Sequence, residues 1–418
     1  NPVAGSYSPF LFRLSRDDSE QELSQVTAQL PPGLLAKIAG VPFCPDQAIA
    51  SISTAEGTGR AELSHPACPL ASQIGTVSAG LGAGPGPNYF PGKVYLAGPY
   101  KGAPLSLAVV APAIAGPFDL GNVVVRTALY VNPDTAQARA VSDPFPTILH
   151  GVVLRVRDIR LRMDRPNTTI NPTNCSPMSV GALITGVGGD LSSTADDSLF
   201  ATSSPFQVGS CGDLAFKPKL DFRLFGGTHR GSHPKFRATL TMPPGGANIA
   251  SASVALPHSE FLDQGHIGTV CTRVQFAANA CPADSIYGTV SAKTPLLDET
   301  LSGPIYLRSS SHKLPDLVAA FRGGRIDANL VGRVDSVNGG IRNTFDFVPD
   351  VPVTTATFSF FGGSKGLLQN SRDICKSPAK ATAKFSGQNG AQLTLHPPLK
   401  SACGKAKKKR VKHSPRGR

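Results

Sequence analysis

The chain has 418 residues, 40% of them apolar and only 17% charged, with 43 glycines, 37 prolines, no tryptophan and a formal net charge of +13. Sparse charge with this apolar content excludes a largely disordered chain, and the glycine and proline content points to strands and turns rather than a helical bundle. The longest apolar run, Leu105–Gly116, is broken by Pro112 and falls short of the ~20 residues that a membrane-spanning helix needs.

The chain opens at Asn1-Pro2 and is expected to be a processed product or a fragment. Phe10–Leu14 and Leu23–Leu30 read as two strands joined by the polar run RDDSEQE. Shifted by 226 residues without a gap, they fall on Phe236–Leu240 and Ile249–Leu256. The segments that follow, GLLAKIAG and SEFLDQ, are expected to form one or two helical turns, with Ser259 as an N-cap. Next comes CPLASQIGTVSA (Cys68–Ala79), which returns as CPADSIYGTVSA (Cys281–Ala292) with eight of twelve positions identical. Both copies lead into a Gly-x-(Val/Ile)-Tyr-Leu strand, Gly92–Leu96 and Gly303–Leu307. The offset then shrinks along the chain to 192 at Cys211 and Cys403, as loop deletions in a second copy would produce.

Gly80–Asn88 reads as a glycine-rich connection between strands; no helical pattern follows it, so phosphate-loop logic does not apply. Leu105–Val110 and Val123–Val131 read as strands on either side of a candidate domain boundary, whose counterpart lies near Arg322–Arg325. Val152–Met163 alternates apolar and polar residues, but the apolar set changes parity after Asp158, so a bulge or tight turn is expected there. Its arginines are expected on the solvent face, with a polyanion groove as the sharper alternative. Asn167-Thr-Thr and Asn174-Cys-Ser match the glycosylation acceptor pattern, which matters only in a eukaryotic secretory host. In the second unit, Leu214–Phe225 and Val353–Phe361 read as strands.

The fold expected is all-β: two homologous units of antiparallel, immunoglobulin-like sandwich halves with short helical turns, stapled by disulfides. The divisions are residues 1–118 and 119–213 in the first unit, 214–323 and 324–403 in the second, and a disordered basic tail, 404–418.

Eight cysteines without a Cys-x-x-Cys point to disulfides and an oxidising compartment. If both units pair alike, three patterns remain, and local pairs best tolerate the differing loop lengths. The bridges expected are Cys44–Cys68, Cys175–Cys211, Cys271–Cys281 and Cys375–Cys403. The tail carries Lys405, Lys407, Lys408, Lys409, Arg410, Lys412, Arg416 and Arg418 and no acid, so it is a candidate polyanion-binding segment. An anionic wall polymer or membrane surface is the expected partner, not a specific nucleic acid.

No catalytic motif of the Gly-x-Ser-x-Gly or His-Glu-x-x-His type occurs. His229 and His233 are four apart, but in a glycine-rich loop rather than on a helix and with no carboxylate close by; they read as ordinary loop residues, with a metal site as the minor alternative. His150, His258, His266 and His312 read as single residues. The repeated Tyr95/Tyr306 and Phe10/Phe236 are expected in the core. No cofactor or metal is expected.

CPLASQIGTVSA, GKVYLAGPYKGAPLSL, GPFDLGNVVVR, NPTNC, LPHSEFLDQ, IYLRSSSHKLPDL and GLLQNSRDIC together resemble secreted repeat proteins of soil actinobacteria. The resemblance covers nearly the whole chain and implies export and surface exposure, but no activity. The reading favoured is a non-catalytic extracellular or envelope protein with a structural or adhesive role. A carbohydrate- or polymer-binding module and an enzyme of unfamiliar type are the alternatives. What the units share is Cys, Gly, Pro and strand apolars, not polar functional groups.

Overall fold

A computed structural model describes residues 2–186, 199–323, 325–337, 340–376 and 379–403. The protein is all-β, and its two units are two curled, half-barrel sheets. In the first unit the strands hydrogen-bond in the order Phe10–Ser15, Val156–Met163, Gln73–Leu81, Asn88–Ala97, Leu105–Ala115, Phe118–Val131, Ala138–Ser142, Leu23–Gln29, Met178–Gly186 and Leu199–Phe206. In the second unit Lys235–Thr241, Thr355–Phe360, Ile286–Lys293, Leu301–Arg308, Asp316–Gly323, Ile326–Val337, Gly340–Phe345, Ile249–Ala255, Thr382–Gly387 and Gln392–Leu395 repeat that order strand for strand. Lys219–Phe225 and Leu399–Ser401 extend the second sheet past Lys235–Thr241, the last pairing being parallel. The duplication read from the anchors is therefore a duplication of topology.

Two expectations about organisation are corrected. The strands of each unit join in one curled sheet, where two stacked halves were expected. The reason lies at the proposed half boundaries. Leu105–Ala115 and Phe118–Val131 are hydrogen-bonded neighbours joined by a tight turn, with Gly116 at φ +57°, so the sheet runs straight through residue 118. Asp316–Gly323 and Ile326–Val337 pair in the same way across residues 323 and 324. The segments after Leu30 and Leu256 are mainly extended as well, and only Gln264–His266, at the end of the second, makes a single 3-10 turn. Leu35–Ala36 pairs with Thr169–Ile170, and Glu260–Leu262 pairs with Leu368–Asn370. Ser259 is thus buried beside a short strand instead of capping a helix. The short helices sit just past the first cysteine of each unit: Asp46–Ala50 and Gly59–Ser64 in the first, Arg273–Ala277 in the second, where Thr272 and Gln275 form a capping box.

The repeated glycines have a reason other than turns. Gly75 and Gly288 lie inside strands, each at a register shift. A Cβ on Gly75 would collide with the Arg162 carbonyl, and one on Gly288 with that of Ser359, so the neighbouring strand crosses where only glycine fits. Gly92 and Gly303 meet the carbonyls of Val110 and Ala320 in the same way.

The bulge expected near Asp158 is present: Val156 faces Leu81 and Asp158 faces Gly80, leaving Arg157 unmatched. Asp158, 3% exposed, is held on the outer side by Arg13 Nε (3.2 Å), Arg160 Nε (2.8 Å) and the Tyr89 hydroxyl (2.7 Å). Its carboxyl lies below the usual range because these hydrogen bonds outweigh the opposing effect of burial. The arginines of this strand are spent on the outer face.

The units touch through specific groups. Asp350 of the second unit, buried with its pKa raised by that burial, accepts from the Thr173 backbone N–H and hydroxyl of the first (2.7 Å each) and from Asn248 Nδ2 (2.7 Å). The Ile38 and Ala39 amides donate to the Leu296 carbonyl (2.9 Å), and the Asn329 amide to that of Pro133 (2.7 Å).

Candidate functional site

Strand alternation sends one set of side chains to the inner face of each half-barrel. In the first unit Phe10, Phe12 and Leu14 of one strand, Val77, Ala79 and Leu81 of a second, and Leu105, Leu107, Val109, Ala111 and Ala113 of a third face a cavity of about 400 Å³. The bulge at Arg157–Asp158 serves this cavity. By inserting one residue it lets Val156 and then Ile159, Leu161 and Met163 all point inward despite their opposite parity in sequence.

The second unit encloses about 290 Å³. Its walls are richer in phenylalanine. Val77 pairs with Leu161 in the first unit and the equivalent Val290 with Phe358 in the second. Phe358 and Phe360 thus occupy the places of Leu161 and Met163. Phe321 and Phe345 pack on Phe358 at centroid distances of 6.3 and 6.1 Å, and Phe236 on Phe360 at 5.9 Å. Larger rings on an equivalent scaffold account for the smaller volume.

The two cavities adjoin. Ala136, Thr294, Leu301, Ala328 and Val351 border both, so the apolar interior continues from one half-barrel to the other through the contact between the units. The walls are almost wholly aliphatic and aromatic; Lys37 and Asp327 are the charged residues that border the larger cavity. Many wall residues, Leu129, Ile159 and Leu161 among them, are only half-buried although they point inward. Protein interiors normally pack with few voids larger than a water molecule. Left unfilled, about 400 Å³ of apolar void would cost on the order of 10 kcal/mol at roughly 24 cal/mol per Å³. That is comparable with the entire stability of an ordinary domain. Chemically, such an interior can solvate an apolar chain and has little with which to bind a charge or polarise a bond.

The eight cysteines form the four local bridges Cys44–Cys68, Cys175–Cys211, Cys271–Cys281 and Cys375–Cys403, with Cα separations of 5.2, 5.9, 5.2 and 5.5 Å. They lie on loops around the half-barrels and not in the cavities. Tyr95 is fully buried beside the Cys44–Cys68 bridge, and burial pushes its hydroxyl to about 12; Tyr306 is half-buried with its ring edge-on to Phe276. Phe10 and Phe236 face the two cavities. Among the described residues the exposed rings Tyr7, Tyr89, Phe118, Phe200, Phe225 and Phe347 lie on separate elements that are not sheet neighbours, so they make no row for stacking on a sugar polymer. The polyanion candidates Lys405, Lys407, Lys408, Lys409, Arg410, Lys412, Arg416 and Arg418 lie outside the described residues.

Three groups of polar residues escape the sequence reading. His233 and His266 do not stand alone: they stack on each other and share Asp263. Asn171 and Asn370 are equivalent buried asparagines, donating from Nδ2 to the Val3 carbonyl and to those of Gly227 and His229. Glu260 is 0% exposed at the place where the first unit buries Leu34. The first and third could not have been found by motif, because His233 meets Asp263 from thirty residues away and Glu260 replaces an apolar counterpart. The second was visible as a repeated Asn near Cys175 and Cys375. Among the described residues no helix is long and apolar enough to cross a membrane. Four disulfides fit a non-cytoplasmic, oxidising compartment. Comparison with protein-family models gives no match, and comparison with curated proteins gives none either.

Proposed function

We propose that this chain is a secreted, non-catalytic envelope protein whose paired half-barrels hold an apolar, chain-like ligand such as the acyl chain of a lipid. The observation that carries the reading is the pair of adjoining apolar cavities, about 400 and 290 Å³, with a shared wall. Each is of the order of the ~300–1,000 Å³ typical of small-ligand sites. Export is supported by the four bridges and by the resemblance to secreted repeat proteins. The basic tail would hold the protein at an anionic wall polymer or lipid surface through a salt-screened attraction. Comparing retention on anionic vesicles with and without residues 404–418, at low and high salt, tests that part; equal retention removes it.

The binding test copies the second unit's own residues into the first. Leu161→Phe with Met163→Phe should narrow the larger cavity while preserving the fold, since phenylalanine already occupies both places in the other half-barrel. A fluorescent fatty acid should bind the wild-type chain saturably and the double variant at least about tenfold more weakly, a change of about 1.4 kcal/mol. Equal binding by both, with both folded, contradicts the proposal.

A further inference from the structure

We infer that His233, Asp263 and His266 form a divalent transition-metal site, best suited to zinc, on the rim of the second unit. The three donors, His233 Nε2, Asp263 Oδ2 and His266 Nε2, lie within 4.8 Å of one another. His233 Nε2 is 2.8 Å from Asp263 Oδ2, and His266 Nε2 is 3.9 Å from the same oxygen. Donors around a tetrahedral zinc with bonds near 2.0–2.1 Å stand about 3.3 Å apart, so the observed spacings straddle what the ion requires. Two imidazoles with one carboxylate are a donor set for a borderline first-row cation, not for calcium or magnesium, which take oxygen ligands.

The orientation of two of the three donors is fixed by a second contact of the kind metal ligands use, and the third is held through its backbone. His266 Nδ1 lies 2.8 Å from the Gly366 carbonyl and donates to it, which leaves Nε2 with its lone pair toward Asp263. Asp263 Oδ1 accepts from the Gly265 amide at 2.9 Å, which leaves Oδ2 for the imidazoles. The His233 backbone is clamped by the Gly363 amide, which donates to its carbonyl at 2.9 Å, and by Gly366, where a Cβ would come within 2.8 Å of the His233 Cβ. The rings stack at 4.1 Å with 22° between planes. Each imidazole lone pair lies in its ring plane, so coordination of one ion by both would turn the two rings out of this stack. The side chains are 15, 23 and 27% exposed, enough for an ion to enter and for water to complete its coordination.

The site belongs to one unit only. At the repeat offset of 226 its members correspond to Tyr7, Lys37 and Gly40, which cannot reproduce it. An ion here would tie together three segments that the sequence separates: the glycine-rich loop before Lys235–Thr241, the turn after Glu260–Leu262, and residues 363–367.

The full chain, stripped with a chelator and dialysed, would be titrated with zinc chloride by calorimetry and with cobalt chloride by visible absorption. The wild type should take up one ion per chain at this site, with a tetrahedral cobalt spectrum, and its Tm should rise with zinc. His266→Ala and Asp263→Asn should bind at least about tenfold more weakly and lose the zinc-dependent rise in Tm. His229→Ala, which alters an exposed histidine of the same loop outside the cluster, should behave as wild type. His266→Ala removes a half-buried ring and its far-UV spectrum reports whether the sheet persists; if it unfolds, Asp263→Asn, which preserves the volume, decides. No saturable binding by the wild type, or wild-type affinity in Asp263→Asn, overturns the inference.

Discussion

Replacing Glu260 with leucine should stabilise the protein, and by more at neutral pH than in mild acid. Glu260 is 0% exposed, and neither carboxyl oxygen meets a hydrogen-bond partner among the described residues. Burial raises its pKa from the ordinary 4.5 to about 7, with the neighbouring Ser259 hydroxyl and the Arg372 charge offsetting only part of the effect. The folded state therefore holds the proton longer than the unfolded state does. Below the unfolded value both states are protonated and the carboxyl imposes no ionisation penalty. As pH rises from about 4.5 to about 7 the unfolded chain gains from ionising and the folded chain does not, so stability falls; above about 7 the loss levels off. At about 1.4 kcal/mol for each tenfold change in proton affinity, the full loss is about 3 kcal/mol. Leucine fits because Leu34 fills the equivalent place in the first unit at 2% exposure. Urea unfolding without reductant, followed through pH, is the assay. The wild-type midpoint should fall between about pH 5 and pH 8, and that of Glu260→Leu should not. Glu260→Gln should also flatten the profile but remain less stable than the leucine variant, because an unsatisfied amide stays buried. A wild-type midpoint that does not change across this range would refute the reasoning.

The remaining predictions concern the scaffold. Replacing Cys175 and Cys211 with serine opens a loop of 36 residues and should cost about 4 kcal/mol, against about 3 kcal/mol for the ten-residue loop of Cys271 and Cys281; denaturant midpoints and m-values of the two double variants give the comparison, and the reverse ranking contradicts the chain-entropy account. Gly288→Ala places a methyl group against the Ser359 carbonyl inside a paired strand and should cost at least about 1–3 kcal/mol. Gly245→Ala, at φ +70° in a turn where a Cβ would meet nothing within 4 Å, isolates the cost of backbone conformation from that of a clash; equal stability of Gly288→Ala and wild type would show that the strands can part there.

Much of this architecture is legible from residues. Strand alternation gave Phe10–Leu14 and Leu23–Leu30, the parity change at Asp158 announced the bulge, and the eight cysteines aligned the units. These signals are local, or else repeat at a measurable offset. What stayed hidden is what depends on closure of the sheet. Hairpins at Gly116 and across residues 323–326 look like domain breaks in sequence because a glycine-rich turn and an interdomain linker share a composition. GLLAKIAG has helical propensity, but Leu35–Ala36 finds a partner strand at Thr169–Ile170, and tertiary pairing prevails. The cavity residues were hidden for a different reason. An inward apolar residue has the same alternation whether it meets another side chain or the wall of a void, so only the curvature of the sheet separates the two. The histidines escaped because Asp263 is thirty residues from His233.

The central claim is that the apolar interior binds an apolar chain, and the most direct measurement is native mass spectrometry of the full chain, purified without detergent from cells that export it, before and after solvent extraction. The account predicts an added mass that extraction removes, a lipid or fatty acid in the extract, and rebinding of that molecule by the extracted protein but not by the Leu161→Phe, Met163→Phe variant. A protein that carries no lipid, takes up none from a fatty-acid panel and keeps the same stability with and without extraction would contradict it.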